Sequence, residues 1–315
     1  MRALCDTFLV RYKPGVWVLT ALIATLCGLS VWAVKIYRSR PLAPAALLKR
    51  VPGGDGLVLY IDFASLRNAG ILKMLSMPSV SQEPEYQLFV RKTEFDYTQD
   101  LDTAMVAFTP SGKYMLLAGR FDWNSLRAYV KGEGGQCYNS FCKLNGSTPD
   151  RRISFFPLQP NLMAMAVSPD ESAAIRLQTV APGPEQEVPV GAPVWLSIPA
   201  AVLRSRDDLP AGTRMFVRTV ENARSVTLAF FPEQQRLSAK LNVRCGSRED
   251  AQQMAGQLAQ TTRLLREAIA REHGQPNPAD LSGVLSSGSF RAEGDRVFGY
   301  WPIERSFVEN LLGGG

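Results

Sequence analysis

The residues best placed for chemistry are four carboxylates in one short stretch, Glu94, Asp96, Asp100 and Asp102. Acidic side chains at this spacing can gather oxygen ligands around a hard cation such as Ca²⁺. The stretch EFDYTQDLD lacks the central Gly and the closing bidentate Glu of a calcium loop. A solvated loop entering a strand is the simpler reading, and no metal site is expected. Paired carboxylates also run glycoside hydrolysis, and a hydrolase here would draw on Asp62, Asp100, Asp102 and Asp122. Nucleophile–base machinery would rest on the single histidine, His273, which ends a long helical pattern in Arg271–Glu272–His273–Gly274. A polar ring just before glycine reads as a helix cap, and one histidine excludes a histidine-rich metal site.

The five cysteines are Cys5, Cys27, Cys137, Cys142 and Cys245, with no C-x-x-C among them. Neither a zinc ribbon nor a thioredoxin-like redox centre is signalled. Cys137 and Cys142 enclose YNSF. On one straight strand they would stand about 16 Å apart and could not bond, whereas across a tight turn they could, which would suit an oxidising compartment. Cys245, just past a strand, reads as buried. Lys131–Gly132–Glu133–Gly134–Gly135 lacks both the dinucleotide fingerprint and the phosphate-binding Lys-Ser/Thr, and no cofactor is expected. Asn145–Gly146–Ser147 matches a glycosylation sequon but is first a turn signal.

The most prominent element is Val16–Val34, VWVLTALIATLCGLSVWAV, which carries no charge. Its length corresponds to roughly 28 Å of helix, close to the hydrocarbon thickness of a bilayer. Trp17 marks one end, with Trp32 and Tyr37 at the other, where interfacial rings belong. No small-x-small cleavage site follows, so an uncleaved single-pass anchor is expected rather than a signal peptide. Basic residues flank both sides and do not choose an orientation. Long domains translocate largely regardless of charge, so the large region is expected outside the cytoplasm.

The formal charge of +6 imitates a nucleic-acid binder. Residues 1–50 hold 8 Lys+Arg against the single acid Asp6, which leaves 27 basic and 28 acidic residues for 51–315. The basicity therefore belongs to the membrane flanks, where anionic headgroups lie. The remainder has no net field for a polyanion, and no nucleic-acid partner is expected.

Beyond the anchor the order of elements recurs about a Pro-rich link, Ala181–Gly191. The first half reads as an apolar strand, Gly56–Phe63, and helical stretches at Ala64–Met74 and Glu83–Thr93. A strand pair follows, Thr103–Phe108 and Tyr114–Gly119, turning at Ser111–Gly112, and then helix at Asn124–Val130. Short strands near Tyr138–Leu144, Ile153–Pro157 and Leu162–Val167 lead to helix at Pro169–Leu177. The second half reads as Val194–Ile198, Ala200–Arg204, a helical piece at Met215–Asn222, and the pair Ser225–Phe231 and Arg236–Val243. It continues with a long helix, Ser247–Arg271, a hairpin of Ser289–Ala292 with Val297–Trp301, and a last helix, Ile303–Leu312. Leu237, Ala239, Leu241 and Val243 alternate with polar residues, as in a half-buried strand. Ser247 and Asp250 have N-cap spacing. The expected class is α+β: an anchor at 16–34 behind a basic tail (1–15), a linker (35–55), and two similar α+β modules (56–180 and 192–312) with mainly antiparallel sheets.

The phrases FDYTQDLDTAMVAF (Phe95–Phe108) and LLAGRFDWNSLRAYV (Leu116–Val130) resemble a group of bacterial single-pass membrane-anchored proteins with a tandem α+β extracytoplasmic region. The matching positions are Asp62, Asp100–Leu101–Asp102 and Gly119–Arg120–Phe121–Asp122. The resemblance implies an anchored envelope protein and assigns no active site.

Three functional readings follow. A non-enzymatic anchored module would bind a protein partner or a second copy of itself through exposed rings, with Trp123, Tyr129, Tyr138 and Phe141 as candidates. A tethered hydrolase would need two of the named carboxylates in one cleft. A small-ligand carrier would need an apolar cavity between the halves.

Overall fold

The structure is a computed structural model that describes Thr25 and residues 43–52, 56–72, 84–146, 148, 151–180, 187–203, 218–233, 236–271 and 274–313. The expected anchor, Thr25 aside, lies outside the described residues, as do His273, Cys5, Cys27 and positions 181–186 of the link. Among the described residues no helix is long and apolar enough to cross a membrane.

Residues 41–315 form one compact unit. It opens with helix α1 (Pro44–Leu48), strand β1 (Leu57–Asp62) and α2 (Phe63–Asn68), then α3 (Pro84–Thr93) and α4 (Tyr97–Asp100). Strands β2 (Leu101–Thr109) and β3 (Gly112–Gly119) precede α5 (Trp123–Gly132). Then come β4 (Gln136–Tyr138), β5 (Phe141–Asn145), β6 (Arg152–Gln159), β7 (Leu162–Ser168) and a 3-10 helix, Ala173–Gln178. The second half runs β8 (Val194–Pro199), α6 (Ala200–Leu203), β9 (Ser225–Glu233), β10 (Arg236–Arg244) and α7 (Arg248–Arg271). It ends with α8 (Leu281–Ser286), β11 (Ser289–Glu293), β12 (Arg296–Ile303) and α9 (Arg305–Gly313).

The described strands make one 12-stranded sheet in the order β11-β12-β10-β9-β8-β1-β2-β3-β7-β6-β5-β4, with antiparallel neighbours throughout. Sequence leaves open whether the two halves have separate or joined sheets; they are joined, because β1 pairs with β2 on one side and β8 on the other. The reason is physical. LVLYID and VWLSIP are apolar on both faces, and as edge strands they would present unpaired amides beside greasy side chains. Pairing them satisfies both backbones and stacks Tyr60 on Trp195, ring centroids 5.4 Å apart.

One face of the first half is covered by α1 and the 3-10 helix. Leu47, Val51 and Leu177 pack there on Tyr60, Met105, Tyr114, Leu116 and Trp195. On the opposite face α5 sets Leu126 and Val130 against Phe155 and Met163. In the second half α7, α8 and α9 bury Met254, Leu258, Val284 and Val308 against Ala239, Leu241, Val243 and Val297. The other face of β10 and β12 carries ion pairs instead: Lys240–Glu233 (3.5 Å), Arg244–Asp295 (3.8 Å) and Arg236–Glu304 (3.7 Å). The alternation read in Arg236–Val243 thus separates a helix-covered face from a charged one.

Local signals hold in several places. The Asp250 amide donates to Ser247 Oγ (3.1 Å) where α7 begins, and Pro84 opens α3, where its missing amide costs nothing. At the β2–β3 turn Gly112 has φ +144°, and a Cβ there would fall 2.6 Å from the Val167 carbonyl oxygen. Two expectations fail. Pro169–Leu177 is helical only from Ala173, because Asp170 Oδ1 accepts from the Ser172 amide (2.9 Å) and hydroxyl (2.7 Å) and closes a side-chain turn first. Tyr138–Leu144 is not one strand but the β4–β5 hairpin, turning through Asn139 at φ 51°, a conformation asparagine tolerates.

Candidate functional site

The carboxylates singled out in the sequence are held apart by separate partners. Asp96 caps α4, accepting from the Thr98 amide (2.9 Å), the Thr98 hydroxyl (2.8 Å) and Tyr86 OH (3.2 Å). Asp100 accepts from Arg120 Nε (3.1 Å) and Nη2 (3.0 Å) and from the Asp96 amide (2.9 Å). Asp102 pairs instead with Arg67 Nη2 (3.0 Å), whose Nη1 also donates to the Thr98 carbonyl (2.9 Å). Glu94 ends the turn after α3 at φ 56°. Among the described residues no three His, Cys, Asp or Glu side chains converge to hold a metal.

The two outlying carboxylates are helix caps. Asp62 accepts from the Ser65 amide and hydroxyl (both 2.8 Å), starting α2. Asp122 accepts from the Asn124 amide (2.9 Å) and the Ser125 hydroxyl (2.8 Å), starting α5. The Ser125 hydroxyl, then the Asn124 and Ser125 amides, hold the Asp122 carboxyl below its ordinary range. A general acid needs the opposite shift.

The site with an open, shaped surface lies where α5 crosses β5 and β6. A pocket of about 430 Å³ is lined by Trp123 and Arg127 from α5, Ser140 and Cys142 from the β4–β5 hairpin, and Phe155 and Pro157–Pro160. That volume lies within the range of small-ligand sites. Trp123 is fixed at both ends: its indole Nε1 donates to the Pro160 carbonyl (2.9 Å), and its ring meets Phe121 at 5.4 Å. Phe121 stacks on Phe95 (5.3 Å), Phe95 meets Phe89 (6.3 Å), and Phe89 meets Tyr129 edge-on (5.1 Å). Of this row Trp123 alone lines the pocket, and the other rings back it. The opposite wall is tied by a disulfide between Cys137 and Cys142, cross-strand partners in the hairpin.

Arg127 supplies the pocket's charge. Its Nε donates to the Trp123 carbonyl (3.0 Å) and its Nη2 to Asn124 Oδ1 (2.8 Å), which fixes the guanidinium plane. Of the four rings proposed from sequence as an exposed patch, Tyr138 is 79% exposed. Trp123 and Tyr129 belong to the aromatic row, and Phe141 packs near Phe156 (6.1 Å). The pocket lies within the first half, not between the halves. Sequence reading missed Arg127, Phe155 and Pro157–Pro160 because they come from a helix and from a strand with its following turn, far apart in sequence, and share no local pattern. The paired prolines flanking Leu158–Gln159 were the one available sign of an irregular strand end.

The fold defines a mixed α+β protein built on one large antiparallel sheet. No family model matches the sequence, and no curated protein matches it. Among solved structures, crystal form I of TP0453 is similar with a TM-score of 0.52 and 13% identity, over 86% of this chain and 97% of that one. Crystal form III of TP0453 is similar with a TM-score of 0.51 and 13% identity, over 87% and 97%. At that identity the likeness is one of fold alone.

Proposed function

We propose that this chain is a membrane-anchored, non-enzymatic binding protein of the cell envelope, held by Val16–Val34 with its folded region outside the cytoplasm. In this reading it is a fused pair of similar α+β modules. The strand order supports the pairing: outward from the centre, β1-β2-β3-β7-β6 is answered by β8-β9-β10-β12-β11. The first module adds one element without a described counterpart, the β4–β5 hairpin. That hairpin, through Ser140 and Cys142, walls the apolar pocket. A departure from the repeat that builds a pocket is the observation that carries the binding role. The carboxylates a hydrolase would need are engaged in caps and ion pairs. A disulfide in the same hairpin fits an oxidising compartment.

The test is alkaline extraction of membranes carrying the full chain, followed by photo-crosslinking from position 138. The chain should stay with the membrane pellet, and a discrete crosslinked species should form that disappears when Trp123 is replaced by alanine. Release into the supernatant, or a lone monomer at every crosslinker dose, would overturn the proposal.

A further inference from the structure

The occupant of the pocket can be narrowed by its charge and by the strand beside it. We infer that the pocket captures the C-terminal end of an extended partner polypeptide, its last side chain apolar and its carboxylate bound to Arg127. This deepens the binding reading above and rests on it.

Three observations converge. The lining is apolar apart from Arg127, Ser140 and Gln159, so the part of a ligand that enters must be greasy. Arg127 is oriented by two hydrogen bonds, and among the described residues no carboxylate stands within ion-pair distance of it. Asp122 acts on it only from further away. A fixed guanidinium in the lining of an otherwise apolar pocket complements a carboxylate joined to an apolar group. Third, β5 pairs with β6 only from Cys142↔Phe155 to Asn145↔Arg152, although β6 runs on to Gln159. Phe141, the first residue of β5, still packs near Phe156 (6.1 Å), so the outer edge of β6 is without a paired strand from Pro157 on, and this stretch, whose amides are those of Leu158 and Gln159, borders the pocket. It is bulged between Pro157 and Gln159. An incoming extended peptide can continue the sheet there while its terminus reaches Arg127, combining strand addition with carboxylate capture. A free fatty acid shares the carboxylate and the apolar body but has no backbone with which to use the strand edge.

The experiment uses the full chain in lipid nanodiscs and fluorescent hexapeptides ending in Leu, Val, Ile or Phe. Each peptide is tested as the free acid and as the C-terminal amide, with decanoate as competitor. At least one free acid should bind ten or more times more tightly than its amide. R127Q should erase that difference, R127K should restore part of it, and bound peptide should slow amide exchange at Leu158 and Gln159. Circular dichroism of R127Q confirms the fold. Equal binding of acid and amide, unchanged preference in R127Q, or decanoate displacing peptide without any protection of β6 would each overturn the inference. If crosslinking from position 138 captures a partner while no terminal peptide binds, this inference falls and the binding role stands. If neither occurs, both fall.

Discussion

Trp195 offers the sharpest test of the joined sheet. It is fully buried on β8, stacked on Tyr60 and paired with it across the β1–β8 seam. An indole removes about 200 Å² from water, worth about 5 kcal/mol at about 25 cal/mol per Å². That figure is an upper bound because the unfolded chain already hides part of this surface. Large aromatic-to-alanine substitutions in cores cost about 3–5 kcal/mol, so Trp195→Ala should destabilise by about 4 kcal/mol, a large share of the stability of an ordinary domain. Trp195→Phe should cost much less. The indole Nε1 is buried without a hydrogen-bond partner, and removing an unsatisfied donor returns about 1–3 kcal/mol against the lost area. The assay is urea unfolding of the full chain in nanodiscs followed by far-ultraviolet circular dichroism. Because the seam couples the halves, the transition should remain single and shift to lower urea in the order wild type, Phe, Ala. A loss below about 1 kcal/mol for alanine, or two separated transitions in the wild-type chain, would refute the reasoning.

Three further outcomes are expected. Replacing Cys137 and Cys142 together with serine, which opens a bridge of sequence separation 5, should cost about 2 kcal/mol; hydrogen exchange should quicken in β4–β5 and leave β9–β10 unchanged, and uniform quickening would count against a local role. Burial, then the Asp62 charge, pushes the Tyr60 hydroxyl up to about 12. Its folded value lies above its unfolded value near 10, so its contribution is complete below about pH 10 and is lost as pH rises from there toward 12; Tyr60→Phe should flatten the alkaline limb of a stability–pH curve, and an unchanged slope would contradict the assignment. The Ser172 hydroxyl holds Asp170 low, and the Ser282 hydroxyl holds Asp280 low. A depressed folded value means stability present above the unfolded value of about 3.9 and lost as pH falls through the folded one; urea midpoints should drop below about pH 4, less so in a double Asn variant.

Much of the local fold was legible because it depends on neighbours in sequence. The alternation of Arg236–Val243 marked its two faces, Ser247 marked the start of α7, and Ser111–Gly112 marked the β2–β3 turn. The β1–β8 pairing was not legible, since any apolar strand could satisfy either edge and nothing near Tyr60 names Trp195. The candidate site divides in the same way. Asp62 and Asp122 each precede a serine three residues on, a capping pattern visible in sequence and overlooked while they were weighed as acids. Cys137 and Cys142 are ambiguous in sequence, and the turn at Asn139 is what brings them together. The pocket itself depends on Arg127, Cys142 and Phe155 meeting from separate elements, and spacing alone does not carry that.

The central position of β1 has a mechanical consequence. It is the first of the described strands, so a pull that reaches it from the N-terminal side is delivered to the middle of the sheet. There β1 is held along both flanks, from Leu57 to Asp62 by β2 and from Val58 to Ile61 by β8. Extraction would have to shear two ladders at once, whereas an edge strand could be peeled away one bond at a time. A load applied at this strand is shared by both halves of the sheet, and severing the Ala181–Gly191 connection would leave both pieces clasped.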